Sequence, residues 1–543
     1  MKSNPTRLVL SLLAVALPTT VLAQDGDDSE RQSRFEITPY IEAGQVVIAE
    51  LSPNDDVVTY TRLAAGVDAS VNGRNNAAAV SLRYERRIGY QPDDPDGDVI
   101  SGIARASASI IPRALTIEAG ALATRSRVEG NGASIITPIT DNFGESNIYA
   151  AYGGPTLQTH AGQLEITGQY LIGYTRVEEP DALVTAPGAD PVDIFDDSVT
   201  QNAQVRVGSR PNGVLPVGVG VGAGWYQEDV SNLDQRVQDR WVRGDITVPI
   251  SPNVALVGGI GYEDVEVSSR DALRDGMGDP VIGPDGRYVT DPASPRLIAY
   301  ETDGLIWDAG VIWRPSRRTS LEAHIGHRYG SMTYYGTLAY APSSRSSLNV
   351  SVYDNVTGFG GQVTRILDEL PTDFTATRNP ISGDIGTCVT SLDSGSCFGG
   401  ALGAIRSSTF RSRGVAATYS ISNGRITAGI GGGYDSRKFI GAQGTVLEDS
   451  DGLRDETAWA LAYLNGRIDE RSGFNTAAYA NWFQSGFTDA GDTAAFGASV
   501  AYYREIARRL TATAAVSVDG VTREEFLEDV LTAAAMLGLR YSF

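Results

Sequence analysis

The sequence predicts an all-β fold: a single transmembrane antiparallel β-barrel of about 22 strands, within roughly 20–24, with short periplasmic turns and long extracellular loops. Three observations predict it. Apolar residues recur with period two over most of the chain. The connections alternate between short turns and long acidic loops. A leader precedes the alternating region, and an aromatic residue closes it.

Composition narrows the alternatives first. The chain has 543 residues, 42% hydrophobic and 20% charged, with 61 glycines and more Tyr (24) than Phe (14) or Trp (6). Its mean hydropathy of −0.14 is too polar for a bundle of membrane helices. Beyond the leader no run of apolar residues is long enough for a spanning helix. With 66 acidic and 44 basic residues the formal net charge is −22, so the body repels nucleic acid and nucleic-acid binding is excluded. Three His and two Cys leave little material for metal or thiol chemistry, and no cofactor is expected.

Residues 1–23 read as a secretory signal peptide. Lys2 and Arg7 charge its start, Leu8 to Leu17 is apolar, and Val21-Leu22-Ala23 resembles a small-residue cleavage site. Gln24 follows the cut, so no cysteine stands there to carry a lipid. Residues 24–34 are a short polar periplasmic tail, and 35–543 are expected to form the barrel. Export puts Cys388 and Cys397 in an oxidising space, where a local disulfide is the default.

The strands follow from the alternation. Val217, Val219, Val221, Ala223 and Trp225 alternate with glycines. Leu321, Ala323 and Ile325 alternate with Glu322, His324 and Gly326; Leu348, Val350 and Val352 with Asn349, Ser351 and Tyr353. Leu510 to Val518 behaves likewise. At the end, Leu531, Ala533, Ala535, Leu537, Leu539, Tyr541 and Phe543 share one face. A soluble sandwich also alternates, but its strands are shorter, at about 5–6 residues.

Turn chemistry marks one end of the strands: Asn72-Gly73-Arg74, Ile111-Pro112-Arg113, His160-Ala161-Gly162, Ser251-Pro252-Asn253, Asn423-Gly424-Arg425 and Arg471-Ser472-Gly473 among others. Longer connections mark the other end: 91–98, 128–144, 179–197, 270–298, 361–406 and 442–455. The longest, 361–406, either folds inward as a constriction or stands outside; the sequence leaves both open. In lipid an open sheet edge finds no water, so such strands must close on themselves. Tyr541 and Phe543, closing the last strand, match the terminal signal that barrel-assembly machinery reads. Trp307 and Trp313 share the apolar face of one strand, and Trp313 lies by a turn, where interfacial rings belong.

The inward face is expected to carry Arg243, Asp245, Asp308, Glu322, His324, Arg328, Asn349 and Arg540 as pore-lining residues. These either stiffen the wall as a ladder of ion pairs or present a selectivity field to a hydrophilic solute. His160, His324 and His327 are the candidates for an outer-membrane hydrolase; no relay signature accompanies them, and a hydrogen-bonded wall histidine is the favoured reading. The acidic runs Asp93–Asp98 and Glu448–Asp451 offer oxygen ligands without the spacing of a calcium loop, so no metal site is assigned.

Trp313-Arg314-Pro315-Ser316-Arg317-Arg318-Thr319-Ser320-Leu321, then Gly326-His327-Arg328-Tyr329-Gly330, then Tyr334, Tyr340, Ser343 and Arg345, resemble a family of outer-membrane β-barrels found with exosortase (PEP-CTERM) exopolysaccharide systems. The likeness covers roughly residues 300–360. It implies a link to exopolysaccharide export and to export components as partners. The expected role is therefore a porin- or export-channel-like barrel in the cell outer membrane, meeting lipid and lipopolysaccharide. The rivals are a non-conducting envelope scaffold and, behind it, a hydrolase.

Overall fold

The computed structural model describes residues 34–543 apart from 92–93, 129–132, 136–144, 184–191, 373, 391–394, 398–401, 403–405, 488–490 and 525–527. The expected signal peptide and all but the last residue of the expected tail lie outside the described residues. Arg34 already belongs to the first strand, Arg34–Ser52.

From there the chain runs up and down in strands of 10 residues (Thr319–Arg328) to 20 (Leu164–Leu183). Each wall strand pairs antiparallel with the next along the chain, from Arg34–Ser52 with Val57–Asn72 to Leu510–Arg523 with Val530–Ser542. The last strand then pairs with the first, from Ala49↔Ala533 to Tyr40↔Ser542. The sheet has 23 strands, one of them the two-residue flap Ser134–Ile135, and the other 22 close into a ring. Closure leaves no strand edge to be satisfied by water, the condition for crossing lipid.

The two faces divide as the alternation requires. Leu537, Leu305 and Ile260 point outward, at 70%, 61% and 59% exposure. Such a greasy surface suits hydrocarbon. Tyrosines mark its upper border: Tyr84 donates to Asp98 and Tyr262 to Asp303, both at 2.8 Å, so each ring sits in the apolar belt with its hydroxyl in the wet zone. At the opposite rim stand Trp313, Tyr541 and Phe543; the last two rings meet edge to face at 5.2 Å. The Phe543 amide donates to the Pro39 carbonyl at 3.0 Å, tying the final residue to the first strand.

The turns hold where Gly and Asn predict them. Gly162 and Gly424 adopt φ of +64° and +66°, a conformation that an L side chain resists. Two expected boundaries move. The segment 179–197 is largely ladder: Leu164–Leu183 and Val192–Ser209 stay paired through Glu178↔Phe195 and Glu179↔Ile194. A strand needs only about 9–11 residues to cross, so this acidic end stands above the membrane, where charge is solvated. The expected turn at Arg471-Ser472-Gly473 sits slightly earlier, because the strand Ser472–Gln484 already begins at Ser472.

Candidate functional site

The long connection runs from Gly358 to Thr409 and turns into the ring. It opens with α1 (Phe359–Asp368), the one α-helix among the described residues. Phe359, Val363, Ile366 and Leu367 recur at helical spacing, and Leu370 and Phe374 extend the same apolar face. That face packs on the inward residues Ile103, Leu122, Ile148, Tyr152, Leu171 and Val177 of the wall. The helix thus leaves the strand Ser346–Thr357 and crosses the lumen to strands Glu145–Ala161, Leu164–Leu183 and Val192–Ser209. Fully burying each large apolar side chain contributes roughly 1.5–3 kcal/mol.

The start of the helix is held by the wall. Glu228, fully buried, accepts at Oε2 from the backbone amide of Gly358 (2.6 Å), Tyr226 (2.7 Å) and Thr357 (2.9 Å). Its Oε1 accepts from the Gly361 amide (2.9 Å) and Ser198 (2.7 Å). A carboxylate from a distant strand thereby fills the role of an N-cap, where orphan amides and the helix dipole both favour negative charge.

Beyond the helix, arginines of the wall grip loop carbonyls and carboxylates. Arg105 donates to the carbonyls of Asp368 (3.1 Å) and Leu370 (3.2 Å). Arg62 donates to those of Pro380 (3.0 Å) and Ile381 (2.7 Å). Arg125 forks onto Asp384 at 2.8 and 3.2 Å and also reaches Glu145 at 2.9 Å. In the other direction Arg378 of the loop donates to Ser101 (2.8 Å) and Ser81 (3.1 Å) on the wall. Ile381 is buried among Val46, Ile48, Val58, Tyr60 and Met536. The chain returns to the wall where Gln235 accepts from the Thr409 amide at 3.1 Å and donates to the Ser407 carbonyl at 2.6 Å. The described parts of the loop therefore lie inside the ring against its inner wall. Within it, the short strands Ile385–Thr390 and Gly395–Cys397 place Cys388 directly opposite Cys397, the register that the expected disulfide requires.

All eight expected pore-lining residues face inward, and most spend their charge on one another. Arg206 forks onto Asp245 (2.9 and 2.6 Å) and Arg243 onto Asp308 (2.7 and 2.8 Å). His324 lies between Asp308 and Glu322, each 3.0 Å from a ring nitrogen, and stacks on Tyr335 at 4.6 Å. Arg328 joins Asp239 (2.6 Å) and Glu263 (2.9 Å). Arg540 reaches Asp68 at 2.9 Å over the Tyr40 ring. Asn349 lies between Ala339 and Thr418 in the ladder. Both nitrogens of His324 face carboxylates, so neither is offered to a hydroxyl nucleophile. His160 ends its strand opposite Glu165, and His327 lies on the outward face between Trp307 and Met332.

Glycines make this band possible. A Cβ on Gly259 would lie 2.2 Å from Nε of Arg243, and one on Gly220 2.5 Å from a terminal nitrogen of Arg206. The guanidinium groups lie flat across the neighbouring strand because nothing stands there. Sequence reading found the charges but missed their floor, and it missed Glu228, Arg105 and Arg125 altogether.

Of the two acidic runs weighed for calcium, the first is in part a backbone clasp. Asp94 accepts from the amides of Tyr90 and Gln91, both at 2.8 Å, and of Thr59 at 3.2 Å. At the end of α1, burial raises the Asp368 carboxyl above the usual aspartate range although Arg105 is 3.7 Å away.

A sealed ring with an apolar exterior, a charged inner wall and an inward-folded loop defines an outer-membrane β-barrel. Solved structures of transporters and receptors show similarity to the chain. The FrpB iron transporter (F3-3 variant) of Neisseria meningitidis is 11% identical, with 93% of this chain and 81% of that one covered and a TM-score of 0.45. The siderophore receptor PiuA of Acinetobacter baumannii is 9% identical, covering 93% and 82%, with a TM-score of 0.42. The ferric-catecholate import receptor Fiu of E. coli K12 is 10% identical, covering 93% and 81%, with a TM-score of 0.40. No family model and no curated protein matches the chain.

Proposed function

We propose that this barrel is a gated passage for a hydrophilic solute, linked to exopolysaccharide export, with the loop Gly358–Thr409 as its gate. The observation that carries the reading is the docked loop. It lies across the lumen of a 22-strand ring and is held there by the polar anchors Glu228, Arg62, Arg105 and Arg125. These polar anchors act beside the apolar packing of α1 on the wall, so opening would have to release both. An always-open porin is disfavoured for the same reason. The polysaccharide cargo rests on the resemblance at residues 300–360.

The scaffold reading draws on the same occlusion, because a barrel that never opens need not conduct. Conductance separates the two. In planar bilayers the native chain should be closed for most of the time. A variant with residues 361–405 replaced by a short Gly-Ser linker should conduct in large, long-lived steps. If that variant keeps the heat-modifiable migration of a folded barrel and still passes no current, gated passage is wrong and the scaffold stands.

A further inference from the structure

Beneath α1 the inner wall carries a second feature, a partly open cavity. Strands Glu145–Ala161, Leu164–Leu183, Val192–Ser209, Gly218–Val230 and Gln235–Ser251 border a cavity of about 440 Å³, within the usual size of small-molecule sites. Trp241 lines it. Its indole lies against the adjacent strand: a Cβ on Gly224 would come within 2.5 Å of Nε1 and Cε2, and one on Gly222 within 3.4 Å of Cζ3. With one ring face laid on glycine backbone, the other is left to the cavity.

Planar polar groups surround this platform. Gln204 donates to Gln169 at 2.8 Å, and Gln169 faces the Asp368 carboxyl at the end of the gate helix. The bidentate Arg206–Asp245 pair closes one side. Thr156 lines the cavity too, and its hydroxyl has no hydrogen-bond partner among the described residues. Arg243 lines the cavity as well, and each guanidinium is forked onto a carboxylate, Arg206 onto Asp245 and Arg243 onto Asp308, so the site carries no unpaired charge. A flat apolar face ringed by fixed donors and acceptors complements a ring with C–H bonds on its face and hydroxyls on its edge.

We propose that this cavity is a binding subsite for a neutral glycan, with one sugar ring stacked on Trp241 and its hydroxyls bonded to Gln204, Gln169 and the Arg206–Asp245 pair. The inference rests on the gated-passage reading and names the class of solute that passes. Through Gln169, which faces Asp368, the occupied subsite would lie next to the end of the gate helix.

The test is calorimetric titration of the full chain, folded in detergent, with neutral α- and β-linked glucan hexasaccharides. At least one should bind. Trp241→Ala should weaken it by about tenfold, and Trp241→Phe by much less. Gln204→Ala should also weaken it, which keeps the test decisive if Trp241→Ala does not fold. Absence of binding by any of these glycans, or equal affinity for native and Gln204→Ala barrels that also tolerate Trp241→Phe unchanged, overturns the subsite. The conductance of the loop-replaced variant is read separately. Current without sugar binding removes the subsite and leaves the passage. Sugar binding without current keeps the subsite and removes the passage.

Discussion

Glu228 Oε1 lies 2.9 Å from the amide nitrogen of Gly361, joining a wall strand to the first turn of a helix 133 residues further along the chain. The same carboxylate holds Gly358, and every bond drawn to it from Ser198, Tyr226, Thr357, Gly358 and Gly361 is a donation. It therefore behaves as the latch of the loop.

Replacing this carboxylate by an amide should open the latch. Glu228→Gln keeps the shape but turns one acceptor into a donor that faces donors. Docking should weaken by roughly 1.5–3 kcal/mol, the worth of hydrogen bonds to a charged group. The expected outcome is a higher open probability in planar bilayers with the single-channel step unchanged.

Arg125 predicts a larger effect. It is buried and pairs with Asp384 of the loop and Glu145 of the wall. Arg125→Leu leaves both carboxylates without it, at a cost of about 3–5 kcal/mol. The loop should then be cut by an added protease in intact outer-membrane vesicles, while the native loop resists. The double variant Arg125→Leu with Asp384→Leu should recover part of that resistance.

The glycine floor can be tested by comparing two positions. Gly259→Ala drives a methyl into Arg243 and disturbs its fork onto Asp308, costing roughly 1–3 kcal/mol. Gly244→Ala meets nothing closer than 3.9 Å and should be tolerated. The temperature at which the folded band is lost on semi-native gels should fall for the first and hold for the second.

Asp368 should make docking dependent on pH. Its carboxyl faces Arg105, Glu118, Glu369 and Gln169, and burial raises it above the ordinary value of 3.8. A carboxyl with a raised value in the docked state binds its proton more tightly there. Its contribution to docking is complete below the ordinary value and is lost as pH rises through the raised one. Open probability should therefore climb with pH across that window, and Asp368→Asn should flatten the climb.

Much of this architecture was legible along the chain. Period two at Leu531–Phe543, turn chemistry at Asn423-Gly424 and long acidic connections opposite them follow from local steric and solvation rules, so they survive in sequence. The inward direction of Arg243, Asp308 and His324 was legible for the same reason. The fold of the loop was readable only in part. Phe359, Val363, Ile366 and Leu367 carry a helical spacing that could have been noticed inside a chain otherwise patterned for strands. Where that helix docks depends on Glu228, Arg105 and Arg125, whose partners are brought near only by closure of the ring. Pairing between residues more than a hundred positions apart leaves no local mark.

The occluding loop is tested most directly by hydrogen exchange of the α1 amides in the folded barrel in nanodiscs. Docked as described, amides 361–368 should exchange as slowly as those of the wall strand Leu164–Leu183, and far more slowly than the outer connection 275–290. If they exchange as fast as 275–290 in a barrel whose wall stays protected, the helix does not sit in the lumen and the gate does not exist.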